Sequence, residues 1–73
     1  MTSKTQRLID YVIDRVRSGE WPPGHKLPPA SQLRELHGIS QMTVRMAIER
    51  LRADGWVTTV PGAGVWVATD PPE

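Results

Sequence analysis

A chain of 73 residues with nine Lys or Arg, eight Asp or Glu and a net charge of +1 is sized for one domain, so the placement of charge, not its sum, decides between partners. The absence of cysteine excludes a disulfide framework and a thiolate metal site, and His25 and His37 share no ligand spacing, so both read as ordinary surface histidines and no metal or cofactor is expected. No apolar run approaches the ~20 residues of a membrane span and no signal-type core follows the N-terminus, which reads as a soluble cytoplasmic chain.

The first predicted helix spans about Thr5 to Ser18. Leu8, Ile9, Val12, Ile13 and Val16 fall on one stripe at helical spacing. Ser3 with Gln6 fits a capping box at its start, and Gly19 fits a left-handed stop. Lys4, Arg7, Asp10, Asp14, Arg15 and Arg17 decorate the other side, which reads as a solvated face. Next comes "GEWPPGHKLPP", whose four prolines and two glycines rule out a regular helix. Trp21 is expected to anchor this loop to the core. Lys26-Leu27 suits a very short strand, with Leu27 inward.

A second helix is predicted from Ala30 to His37, entered through Pro28 and Pro29, with Leu33 and Leu36 as its apolar edge. It is too short to persist without packing. Gly38 supplies the stop, Ile39 a hydrophobic plug, and Ser40 the N-cap of a third helix, its hydroxyl satisfying the backbone N–H of Met42 or Thr43. That helix spans Gln41 to about Ala53. At ~100° per residue, Val44, Ala47, Ile48 and Leu51 gather on one side and Gln41, Met42, Arg45, Met46 and Glu49 on the other. "WVTTV", the turn "PGAG" and "VWVAT" then predict a β-hairpin. The domain is placed at 1–69, with a frayed tail at 70–73.

Two helices joined by a three-residue, Gly-containing corner form a helix-turn-helix, and a hairpin directly after the second helix makes the winged version. The fold class is therefore α+β, three helices followed by a two-stranded wing. Core packing does not ask for a polar, partly basic outer face beginning with Ser40 and Thr43. Any small helical domain can contain such a corner, but this outer face favours DNA in a major groove.

"GEWPPGHKLP", "QLRELHGISQMTVRMAIERLRADGWV" and "PGAGVWV" together resemble the winged-helix DNA-binding domain of GntR-type bacterial transcriptional regulators. The resemblance covers about Leu8 to Val67. It implies a sequence-specific transcriptional regulator, a repressor or accessory factor, that reads a short palindrome in double-stranded DNA as a dimer. Carried over residue by residue, it places DNA contacts at Ser40, Thr43 and Arg45 around the recognition helix and at Gly62 in the wing. Gln41, Met42, Arg34 and Ala63 complete the candidate interface.

Several positions depart from the family pattern. Gln41 stands where Arg is usual, Ser31 where the second helix often carries Arg, Pro29 where a polar cap is usual, and Val60, Pro61 and Ala63 where wings are often basic. A Gln amide matches adenine as Arg matches guanine, so a different operator core is expected. Met42 and Met46 suit thymine methyls or a protein surface. With no Lys or Arg in the wing, Arg34, Arg45, Lys4, Arg7 and Lys26 are left to neutralise phosphates. Trp56 and Trp66 are assigned to packing.

Family members normally add a large effector-binding and dimerising domain. The sequence in hand predicts a stand-alone module with no visible small-molecule effector site and only weak or DNA-assisted homodimers, working at the nucleoid. The alternative is a winged-helix module that binds protein through its exposed methionines. An enzyme is set aside, because no nucleophile–base pair and no phosphate loop at a helix start occurs.

Overall fold

A computed structural model describes residues 3–72 and arranges them as α1 (Lys4–Arg17), α2 (Ala30–His37), α3 (Gln41–Ala53), β1 (Val57–Val60) and β2 (Gly64–Val67). α1 begins and ends one residue earlier than its expected bounds, within the usual uncertainty of helix ends. Its start is fixed by the Ser3 hydroxyl, which accepts the Gln6 N–H at 3.0 Å. The other half of the expected capping box is redirected: the Gln6 amide donates along the helix to Asp10 at 2.8 Å. Gly19 takes φ +83°, the left-handed stop the sequence called for. Leu8, Ile9 and Val12 are buried, with Ile13 and Val16 packed at the margin.

The charged face of α1 is not purely solvated. The Arg15 guanidinium lies over the Tyr11 ring at 5.2 Å and Arg17 over Trp56 at 5.5 Å, so both stems cover aromatic surface. Trp21 is buried as expected and meets the Tyr11 ring edge-on. His25 stacks on the outer face of Trp21 at 5.8 Å.

The proline-rich loop becomes a third, very short partner of the hairpin. Leu27 N–H donates to Val65 at 2.8 Å, and Val67 N–H donates to His25 at 2.8 Å. An isolated antiparallel bridge joins Lys26 to Trp66. This clamps β2 on the side away from β1 and drives Leu27 into the core.

In α2, Leu33 is buried but Leu36 is 61% exposed, which corrects the expected two-leucine edge. Three residues on is 300° round the helix, 60° off the buried line, whereas four residues on is only 40° off. His37 therefore takes the inward position and packs against the Tyr11 ring at 4.6 Å. It is half-buried, not a surface histidine.

Gly38 at φ +62° ends α2, and Ser40 starts α3. Of the two N–H groups within reach, Ser40 caps that of Thr43, at 3.2 Å. The two hydroxyls also share a hydrogen bond at 3.0 Å. Ser40→Ala removes both bonds. It is expected to cost about 1 kcal/mol, read as a lower thermal midpoint; an unchanged midpoint would mean that water replaces the cap without loss.

Val44, Ala47 and Leu51 of α3 are buried against α1, and Trp56 N–H donates to Leu51 at 2.9 Å to seat the entry to the wing. β1 and β2 pair in the register Val57↔Val67 through Val60↔Gly64. Gly64, expected in the turn, is thus the first residue of β2. Trp56 is buried and Trp66 is half-buried. Beyond the wing Pro71 is half-buried, and Pro72 lies close to Gly55. Of the segment 70–73 expected as a tail, Glu73 lies outside the described residues.

Candidate nucleic-acid interface

The fold turns the start of α3 outward because its opposite side is spent on the core. On a 100° wheel with Val44, Ala47 and Leu51 pointing in, Met42 points almost directly out. Gln41 and Arg45 lie on the flank toward the wing, and Met46 on the flank toward α1. Met42 is 62% and Met46 54% exposed, an unusual use of two large apolar side chains in a small domain.

Two grooves border this ridge. On the wing side Gln41, Arg45, Ile48 and Glu49 face Ala30 and Val65. On the α1 side Met42, Arg45, Met46 and Arg50 of α3 face Thr5, Gln6 and Ile9. Arg45 belongs to both walls. The structure therefore brings Gln41, Met42 and Arg45 together as one surface.

The remaining candidates are spread around it. Ser40 is exposed at the helix start, while Thr43 is half-buried with its hydroxyl held by Ser40. Gly62 and Ala63 sit at the exposed wing tip, along a separate groove that runs to Lys26, Pro29 and Ala30. Arg34 is exposed on α2 and lines none of these three grooves. Ile9 and Gln6 were missed as groove residues. Ile9 was legible only as part of the core stripe, and nothing local says that the stripe's margin faces Met46.

Ion pairing sorts the cations. Arg50 pairs with Asp54 at 3.3 Å and Arg52 with Glu49 at 3.1 Å, so the far half of α3 neutralises itself. Arg15 is bound by Asp14 and, at 3.8 Å, by Glu20. The Asp14 hydrogen bond holds the Arg15 guanidinium above its usual pKa, so it stays charged. Among the described residues Lys4, Arg7, Lys26, Arg34 and Arg45 have no carboxylate partner. These are the same five cations that the sequence left for phosphate contacts.

The chain is 36% identical over 62 residues to the histidine utilization repressor of Pseudomonas aeruginosa, a match covering 85% of this chain and 25% of the relative. It is 40% identical over 52 residues to the fatty acid metabolism regulator protein of Vibrio cholerae, covering 71% of this chain and 19% of that one. The chain thus spans a quarter or less of the length of these curated relatives. Among solved structures, AraR(DBD) in complex with an operator superposes with a TM-score of 0.91 at 29% identity, covering 93% of this chain and 83% of that one. No helix among the described residues is long and apolar enough to cross a membrane. The model of the gntR family of bacterial regulatory proteins matches residues 4–67, nearly the whole winged helix, and the chain belongs to that family.

Proposed function

We propose that this chain is the operator-reading module of a transcriptional regulator, a repressor or accessory factor, that places the start of α3 in the major groove of double-stranded DNA. The observation that carries this reading is the exposed face made by Gln41, Met42 and Arg45 at the capped N-terminal end of α3, where helix-turn-helix proteins meet base edges. The operator named in the AraR structure and the repressor named in the Pseudomonas relative support it. Arg45 is assigned to guanine or to a phosphate, and Gln41 to adenine. Ser40 and Thr43 bond phosphate oxygens and set register, with Arg34, Gly62 and Ala63 as backbone contacts at the margins. The module works on chromosomal DNA in the cytoplasm. Two copies cover a palindromic operator and meet weakly or only on DNA.

Retention on duplex DNA across a salt series tests the reading. A fall of log K with log salt is expected, on the order of 3–5 phosphate contacts per module. Binding that ignores DNA at every salt would leave the competing role, a protein-docking module that uses Met42, Met46 and Ile9.

Base assignment has its own test. Gln41→Arg should move the preferred base from adenine toward guanine, because the new side chain presents donors only. If the variant tightens every sequence equally, residue 41 faces the backbone and the base-reading role is wrong.

A further inference from the structure

The wing, residues 57–67, carries no Lys or Arg, yet one cation lies across it. Lys26 comes from the loop between α1 and α2. Its backbone bridges to Trp66, and its Nζ stands over the Trp66 ring at 5.5 Å from the centroid. The stem crosses the wing where Gly64 has no side chain: a Cβ there would lie 2.9 Å from Lys26 Cε and 3.7 Å from Nζ. Gly64 also holds φ +143°, a conformation that side chains resist. The one wing residue that Lys26 must cross is thus the one that leaves room for it.

This cation is also well placed. Lys26 lines a groove of about 530 Å³ between the wing tip, at Val60 and Gly62, and the segment entering α2. That groove shares Ala30 and Val65 with the groove walled by Gln41 and Arg45. The two grooves therefore lie side by side, and the lysine borders the one next to the recognition helix. Lys26 has no carboxylate partner among the described residues, so its charge is available.

We infer that Lys26, held over Gly64 and Trp66, is the cation of a composite wing and takes a DNA backbone phosphate that the wing cannot bind with residues of its own. The inference rests on the DNA-binding reading above. Folding already restricts the lysine against Trp66, so less rotamer freedom is lost when the phosphate arrives. Lys26 is exposed, and its ammonium can donate to a phosphate oxygen as a point charge. A phosphate contact carries no base information, so the lysine adds affinity and register without sequence preference.

The test compares wild type, Lys26→Met and Lys26→Arg on a duplex enriched by the wild-type protein from random DNA and on a scrambled duplex, each across a salt series. Lys26→Met keeps an apolar stem on Trp66 and removes the charge; circular dichroism should match wild type. It is expected to bind both duplexes roughly threefold to tenfold more weakly and to flatten the slope of log K against log salt by ~0.9, one contact. Lys26→Arg should restore both. Replacing single phosphates by neutral methylphosphonates should reveal one position per half-site that weakens wild type and leaves Lys26→Met unaffected. A folded Lys26→Met with the wild-type slope overturns the inference and leaves the DNA-binding reading intact. A wild type that enriches no duplex and binds random DNA at no salt concentration overturns both.

Discussion

Arg45→Ala is expected to weaken binding to the selected operator by ~1–3 kcal/mol, the worth of a bidentate base contact, while far-ultraviolet circular dichroism stays at the wild-type level. The residue is exposed, walls both grooves beside α3 and has no ion-pair partner among the described residues. Its loss therefore breaks no ion pair among the described residues. The size of the effect on a scrambled duplex separates its roles. A base contact costs affinity mainly on the operator, whereas a phosphate contact costs it equally on both. Full affinity of the variant on the operator would remove Arg45 from the interface.

Leu51→Ala should do the opposite: leave the reading face untouched and take away the domain beneath it. Leu51 is fully buried at the junction of α3 with α1 and the entry to the wing. Truncating such a leucine costs ~2–5 kcal/mol through lost transfer energy and an unfilled cavity. At roughly 0.05–0.15 kcal/mol per residue, a domain of this size holds only about 4–11 kcal/mol. The thermal midpoint should fall by roughly 10–40 °C. Because DNA binds only the folded form, saturating operator should recover part of that loss by mass action. A midpoint within a few degrees of wild type would mean that the core closes over the gap and that α3 is not anchored through Leu51.

The helix-turn-helix was legible because each of its boundaries is written in local chemistry. Gly38 must turn left-handed, Ser40 must cap, and the apolar spacing of Val44, Ala47 and Leu51 leaves one face of α3 free. The hairpin was legible for a similar reason, since Val- and Thr-rich runs flank a Gly-containing turn. What escaped the sequence depends on a choice between competing partners, some of them far along the chain. His37 takes the inward place expected of Leu36 and there meets Tyr11 of α1, a contact that α2 alone does not announce. Gln6 prefers Asp10 to the backbone that a capping box would offer. Gly64 belongs to β2 and not to the turn, because it pairs with Val60 across the hairpin. Among the interface candidates, the cluster of Gln41, Met42 and Arg45 follows from helix periodicity alone. That Met46 shares a groove with Ile9, or that Lys26 lies across the wing, follows from tertiary packing, which periodicity does not encode.

Whether the exposed start of α3 reads duplex DNA is decided by selecting bound fragments from random duplex DNA. Successive rounds should enrich an inverted repeat of two short half-sites with adenine at the base that Gln41 faces, and sedimentation of the protein alone at micromolar concentration should show mostly monomer. A population that stays random through every round, at low salt and with the fold intact by circular dichroism, would contradict that reading.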